Sequence, residues 1–332
     1  MMCIFRRIRP RWNTTKKIII MKKIILIALS LAISAVSLSA QDMAAATETY
    51  NNGATALNMG DNEGALQYFR DALTMAEACG EEGADIVNNC KTYIPAIALS
   101  IAKEQIKSGN YDNAVTKLQE AIQIANDYQS EDVAIEASDL IPQVYLQKGN
   151  DLLQAKDFAG AAESYRKSVE IDSTNGMACL RLGQALSSAG DINGAVDAYN
   201  MAMRHGQQQN AVKQLSNTFI KLAASALKTK NYDNAVQYAL KSFEYNENAT
   251  AMQVAGQASL QLGKNSDAID YFEKYVALSP NARNVNDIYY SIAVLAQQAG
   301  DNAKACGYYQ KLTSHPTYGA TAKQQITALK CN

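Results

Sequence analysis

Two nearly identical stretches decide the fold, GNYDNAV at residues 109–115 and KNYDNAV at residues 230–236. They differ only at the first position and contain no pattern typical of catalysis. In each stretch turn-forming residues come first, and an alanine begins the apolar part that follows. Five further stretches share this frame: GDNEGAL, KDFAGAA, GDINGAV, GKNSDAI and GDNAKAC. The chain therefore repeats one local structure along its length.

The alanines of the seven stretches are spaced by 49, 47, 34, 40, 33 and 37 residues. They are Ala65, Ala114, Ala161, Ala195, Ala235, Ala268 and Ala305. Periods in this range are typical of stacked supersecondary units. Amphipathic stretches flank each frame, and the composition, rich in alanine with five prolines in 332 residues, favours helices. Each frame is predicted to be the turn of a helical hairpin and the start of its second helix.

Side chains at fixed distances from these alanines support this interpretation. Twelve positions before each alanine lies Gly or Ala, and four positions after it an aromatic residue is common. The first set is Gly53, Ala102, Gly149, Gly183, Ala223, Gly256 and Ala293. The second is Phe69, Leu118, Tyr165, Tyr199, Ala239, Phe272 and Tyr309. This pattern resembles the tetratricopeptide repeat family over roughly residues 44–330, best in 176–209 and 249–280.

The resemblance implies an all-α, right-handed α-solenoid of about seven helical hairpins with a C-terminal capping helix. We expect two long repeats in residues 44–142, five repeats in 143–316 and the cap in 317–332. Ile94-Pro95 and Ile141-Pro142 are expected to mark the beginnings of long first helices, because proline suits the first helical turn.

In this family the first helix of each unit lines a groove that holds a protein or peptide. Carrying those positions over predicts a groove rich in uncharged hydrogen-bonding side chains, which suit either a peptide backbone or sugar hydroxyls. The candidate residues are Gln143, Asn150, Gln154, Gln184, Ser188, Asn217, Gln253, Gln257, Gln261, Tyr290, Gln297 and Gln298. The alternative is that these glutamines are simply good formers of exposed helix.

Five cysteines follow residue 40. Cys79 and Cys90 flank the connection between two hairpins, Cys306 lies early in the last second helix, and Cys331 ends the cap. We expect disulfides Cys79–Cys90 and Cys306–Cys331 and a free Cys179; the alternative is five buried thiols.

Residues 21–42 read MKKIILIALSLAISAVSLSAQD, a basic start followed by an apolar run and small residues. This layout predicts a signal peptide with translation starting at Met21 and cleavage after Ala40. Residues 1–40 would then be an N-terminal extension and signal peptide, and the protein would be periplasmic. The alternative is a membrane anchor formed by an uncleaved signal.

Residues 1–40 contain eight of the 31 basic residues and none of the 32 acidic ones, so the remainder is acidic by about nine charges. A basic surface for nucleic acid is therefore not expected. The two histidines, His205 and His315, are far apart in the chain, and metal-binding, nucleophile and phosphate-loop motifs are missing from the sequence. We expect a scaffold that binds a protein or peptide, with no catalytic activity, cofactor or metal; the alternative is a module that binds glycan or cell-wall fragments.

Overall fold

The computed structural model describes residues 42–331, and these residues form helices with no strand among them. In chain order the helices are α1 (42–58), α2 (Asn62–Ala78), a 3-10 turn (Gly80–Gly83), α3 (Ala84–Lys107), α4 (Tyr111–Asp127), α5 (Glu131–Gln154), α6 (Phe158–Ile171), α7 (Gly176–Ala189), α8 (Ile192–Ala202), α9 (Gln208–Lys228), α10 (Tyr232–Tyr245), α11 (Ala249–Gln261), α12 (Asn265–Leu278), α13 (Val285–Gln298), α14 (Asn302–Leu312) and α15 (Gly319–Ala328). The segment Met203–Gln207 between α8 and α9 is a kink, in which His205 and Gly206 leave helical geometry. Successive helices pair as seven hairpins, and α15 follows as a cap, so the predicted all-α solenoid fold is confirmed.

The chain divides into two compact units, one ending at Val144 and the other beginning at Tyr145. The first unit contains the hairpins α1–α2 and α3–α4, and the second runs from the later half of α5 to the cap. Each unit has its own hydrophobic core. The repeat boundaries expected from the sequence stay a prediction.

The two quoted stretches form the same turn. Asn110 donates its backbone N–H to the carbonyl of Gln105, and Asn231 donates in the same way to Ala226. These bonds close the preceding helix through a left-handed residue, which is Gly109 at φ 73° in one turn and Lys230 at φ 60° in the other. The one letter that differs between the stretches is therefore the residue with positive φ.

In five of the seven hairpins the second helix begins with a side-chain cap; α4 and α12 lack one. Oδ1 of Asp61, Asp157, Asp191 and Asp301 accepts the backbone N–H three residues later at 2.9–3.0 Å. Asn231 caps its helix more loosely, at 3.4 Å. Each cap satisfies one of the N–H groups that a helix start leaves without a partner.

Small side chains let the two helices of a hairpin approach closely. All seven aligned alanines are fully buried. A Cβ atom added to Gly149, Gly183 or Gly256 would lie 2.5–2.6 Å from a ring atom of Tyr165, Tyr199 or Phe272, respectively. The ring of the second helix therefore lies directly on the backbone of the first. A methyl group there would force the pair apart.

The prediction that the two repeated prolines mark the beginnings of helices is wrong. Pro95 and Pro142 lie inside α3 and α5, not at their beginnings. Proline cannot donate to the carbonyl four residues earlier, but both helices continue through it. For α3 the reason is visible in the core, where Ile94, Ile97 and Ile101 are buried on both sides of the proline.

The cap is covalently attached to the last hairpin. α15 packs on α14, and Cys331, just after α15, forms a disulfide with Cys306 of α14 at a Cα–Cα distance of 5.7 Å. The expected Cys79–Cys90 bond is absent, which corrects that prediction. Cys90 is buried in the core of the first unit, whereas the thiol of Cys79 lies against the carbonyl of Met75 at 3.3 Å. Cys179 is a free buried thiol.

Between residues 42 and 331 no helix is both long and apolar enough to cross a membrane. The predicted signal peptide, its start at Met21 and its cleavage after Ala40 lie outside the described residues.

We expect Lys230→Gly to raise the free energy of unfolding by about 1 kcal/mol, because glycine adopts positive φ without the steric cost that a side chain carries. The reciprocal change Gly109→Lys should lower it by a similar amount. Urea unfolding followed by circular dichroism measures both. Lys221→Gly, in the exposed middle of α9, is the matched control and should destabilise by about 1 kcal/mol. A destabilising Lys230→Gly would contradict the argument.

We expect Cys331→Ser to lower the free energy of unfolding by about 3 kcal/mol, since the lost bond closes a loop of 25 residues. The wild-type protein in reductant should behave like this variant. Cys79→Ser is the control. In this variant the free energy of unfolding should differ between oxidised and reduced protein by as much as it does in the wild type. Identical unfolding of the wild type with and without reductant would rule out a stabilising bond.

Candidate functional site

The first helices of three consecutive hairpins lie side by side in the second unit. α9 contacts both α7 and α11. The Ser187 and Thr218 hydroxyl oxygens are 3.0 Å apart and join α7 to α9. Ser188 and Asn217 are the sequence neighbours of these two residues. We call the candidate residues of these three helices, together with those of α13, the groove face: Gln184, Ser188, Asn217, Gln253, Gln257, Gln261, Tyr290, Gln297 and Gln298.

The most regular part of the groove face is on α11. Gln253, Gln257 and Gln261 follow each other at intervals of four residues and therefore form one row along the helix. Gln253 and Gln257 are half-buried and Gln261 is exposed. Their amides make no hydrogen bond within the described part of the chain, so each can still donate and accept.

Four other candidates are exposed and likewise make no side-chain hydrogen bond within residues 42–331: Gln154, Ser188, Asn217 and Gln298. Gln143 has the same character but belongs to the first unit, where it lies on α5.

Three candidates already form hydrogen bonds with other side chains of the protein. Asn150 accepts a hydrogen bond from the Tyr165 hydroxyl at 2.8 Å, and Gln184 accepts one from Arg181 at 3.0 Å. Gln297 accepts from the Tyr309 hydroxyl at 2.8 Å and donates to Gln325 of the cap at 3.0 Å. A ligand would have to compete with these bonds, so the three residues contribute less free hydrogen-bonding capacity than the row on α11.

Tyr290 is the one aromatic candidate, and its ring is partly covered. The ring of Tyr318, just before α15, stacks on it at 4.6 Å between centroids and an angle of 15°. Tyr309 meets it edge-on at 6.5 Å. One face of Tyr290 is therefore already in contact within the protein, and the residue holds the cap on α13.

Several buried titratable groups hold their protons more tightly than usual. Burial raises the pKa of Tyr165 and of Tyr199 to about 12 and that of the Cys90 thiol to about 11. A thiol with a raised pKa is a poor nucleophile. No group of three or more His, Cys, Asp or Glu residues that could hold a metal ion occurs among the described residues.

Sequence reasoning missed a row of tyrosines on the second helices. Tyr238, Tyr271 and Tyr308 each lie three positions after an aligned alanine, and all three are half-buried. The hydroxyl of Tyr308 donates to Glu273 of the preceding second helix at 3.1 Å. Their constant distance from the alanines was the signal that could have identified them.

Four models of the tetratricopeptide repeat match the sequence, at residues 47–82, 152–217, 220–283 and 287–317, and together cover more than half of the chain. The chain belongs to the tetratricopeptide repeat family. A tetratricopeptide repeat fold is a scaffold for binding proteins or peptides, and its members are generally non-catalytic.

The chain is similar to TPR repeat-containing protein MJ1428 of Methanocaldococcus jannaschii, with 22% identity over 269 residues. This match covers 80% of the chain but only 42% of the relative.

Similar solved structures include a MamA protein, with 17% identity, a TM-score of 0.35, and coverage of 58% of this chain and 98% of that one. PilF of Pseudomonas aeruginosa has 21% identity and a TM-score of 0.29, with coverage of 58% and 93%. YrrB, described as a TPR protein with an unusual peptide-binding site, has 20% identity and a TM-score of 0.33, with coverage of 59% and 97%.

We expect the free energy of unfolding to fall steeply above pH 10. Tyr165 and Tyr199 have folded pKa values of about 12 against an ordinary value of 10.0, so the folded state holds their protons more tightly. The stability that these two residues contribute is complete below pH 10. It is lost between pH 10 and pH 12, at about 1.4 kcal/mol per pH unit for each residue. Urea unfolding at several pH values measures the slope. Tyr199→Phe should make it shallower, and an unchanged slope in this variant would contradict the assignment.

Proposed function

We propose that this protein is a non-catalytic, exported scaffold that holds an extended segment of another protein against the groove face. The observation that carries the proposal is the row Gln253, Gln257 and Gln261, whose amides keep their donors and acceptors free within the described residues. An extended backbone offers an N–H and a carbonyl at every residue, which an amide side chain can pair at once.

The surroundings of this row favour a peptide over a strongly charged ligand. On α7, α9 and α11 every residue of the groove face is uncharged, although Arg181 donates a hydrogen bond to Gln184 at 3.0 Å. Uncharged hydrogen bonds contribute modestly to binding, so affinity would depend on a few apolar anchors of the partner beside the row. Nucleic acid is not part of the proposal, because the chain after residue 40 is acidic.

The glycan hypothesis receives less support. Binding sites for sugar rings generally present open aromatic surfaces, and the aromatic candidate on the groove face, Tyr290, is stacked on Tyr318. We therefore propose a protein segment as the ligand.

We further propose that the chain is exported to the periplasm and acts in the assembly or homeostasis of the envelope. Two observations support export: the sequence of residues 21–42, and the bond between Cys306 and Cys331, since disulfides persist mainly outside a reducing cytoplasm. Fractionation of the source cells tests this proposal. Recovery in the periplasmic fraction with an N-terminus at Gln41 supports it, whereas recovery with membranes supports an uncleaved anchor and recovery with cytoplasmic proteins overturns it.

The double variant Gln257→Glu/Gln261→Glu is expected to reduce recovery of the partner about tenfold, because a carboxylate cannot donate and leaves a partner carbonyl unpaired. Cross-linking to an envelope extract, followed by quantification of the linked protein, measures this effect. Gln237→Glu/Gln324→Glu is the matched control. It makes the same chemical change at exposed residues of α10 and α15. Equal recovery with both double variants would exclude the groove face as the binding site.

A further inference from the structure

A cleft lies in the second unit, away from the groove face. Its volume is about 790 Å³, and it lies between the beginning of α8 and the later half of α10, with side chains of α9 at its base. This volume is within the range of clefts that bind small molecules or single side chains of a partner. We call it the α8–α10 cleft.

The base of the cleft is aromatic. The ring of Tyr245 stacks on Phe219 at 5.7 Å between centroids and an angle of 9°, and Tyr238 lies 6.3 Å from the same ring. Phe219 is buried, whereas the two tyrosines are half-buried and present ring surface to the cleft. The Nζ atom of Lys241 lies over Phe219 at 5.4 Å from its centroid. The cleft therefore already holds a cation against its aromatic base, and that cation belongs to the chain itself.

The rim of the cleft carries more acid than base. Asp191, Asp197 and Glu244 face one cation, Lys241. The carboxylate of Asp191 is engaged, since its Oδ1 caps α8 by accepting the N–H of Gly194 at 2.9 Å. Asp197 and Glu244 are exposed and form no ion pair or hydrogen bond within residues 42–331. An incoming cation would thus find two carboxylates without partners.

In the neighbouring hairpins, side chains bridge the corresponding surface between successive second helices. Between α12 and α14, Glu273 pairs with Lys304 at 3.1 Å and accepts the hydroxyl of Tyr308 at 3.1 Å. Lys264, the residue before α12, pairs with Asp233 of α10 at 3.4 Å. Between α8 and α10 no such pair is found among the described residues, although Tyr238 occupies the same position relative to the aligned alanine as Tyr308. The α8–α10 cleft is therefore left open where the other two surfaces are bridged.

We propose that the α8–α10 cleft binds an arginine side chain of a partner protein. A planar guanidinium stacks on tyrosine rings and pairs with carboxylates through several N–H groups, which a lysine ammonium does less well. In binding, the guanidinium takes the place of the Lys241 ammonium beside the aromatic base. This site lies outside the groove face, and the inference stands or falls separately from the proposed function.

The test is an NMR titration of the full chain labelled in its tyrosine rings, with Tyr238 and Tyr245 assigned from their Tyr→Phe variants. The probe is the peptide acetyl-Gly-Arg-Gly-Arg-Gly-amide, and the matched probe contains citrulline, which keeps the shape of arginine but is neutral. We expect the arginine peptide to shift Tyr238 and Tyr245 with a Kd of about 1 mM or tighter, a value reasonable for one stacked, paired side chain. The citrulline peptide should shift neither.

Two variants with opposite expected effects complete the test. Asp197→Asn/Glu244→Gln should weaken binding about tenfold, because each exposed pair contributes up to about 1 kcal/mol. Lys241→Ala should tighten it about threefold, since it removes the competing cation. The control Glu48→Gln/Asp85→Asn makes the same change of charge at exposed residues of the first unit and should leave the affinity unchanged. Equal binding of both peptides, no shift of either tyrosine at about 10 mM peptide, or unaltered affinity in Asp197→Asn/Glu244→Gln would each overturn the proposal.

Discussion

The structure depends on the distance between the two helices of each hairpin. An aromatic ring of the second helix lies directly on a glycine of the first in the pairs Gly149–Tyr165, Gly183–Tyr199 and Gly256–Phe272. Where the first helix carries alanine, the opposing residue can be small, as in the buried pair Ala223–Ala239. What the sequence keeps constant is a small residue, Gly or Ala, on the first helix, whereas the opposing residue ranges from Ala239 to Tyr309. At the three glycines the ring lies so close that an added methyl group would not fit. Once this distance is set, each hairpin presents a similar surface to the next.

This local origin explains why so much of the fold could be predicted from the sequence. The turn, the cap and the crossing residues lie within about 20 residues of each other in every unit, so they leave a repeated pattern in the sequence. The exceptions are features that depend on contacts outside the unit. Pro95 alone suggests a helix start, and the buried isoleucines around it decide otherwise. The extra residues between Ala195 and Ala235 gave no indication that they form a kink at His205 and Gly206 and a lengthened α9.

The cysteines show the same limit. Proximity along the chain suggested Cys79–Cys90, but the direction of the Cys90 side chain is set by the hydrophobic core of the first unit. The groove face was likewise predictable only in part. The position of a residue on a first helix follows from the repeat, whereas its freedom to bind depends on neighbours at other distances in the sequence. Gln297 illustrates this, because its partners Tyr309 and Gln325 come from two different helices.

The first and the second helices of the hairpins contribute different surfaces, and this difference follows from the same geometry. The first helices α7 and α11 both contact α9, so the exposed residues of neighbouring first helices are brought close together whatever their identity. The second helices are held apart by the first helices between them, and specific side chains must close or leave open each intervening cleft. Glu273 with Lys304 closes one, and Lys264 with Asp233 bridges another. Because each hairpin contacts mainly its neighbours, a change at one such cleft leaves the remaining interfaces intact. The proposed arginine site between α8 and α10 can therefore arise through a few surface residues without disturbing the groove face.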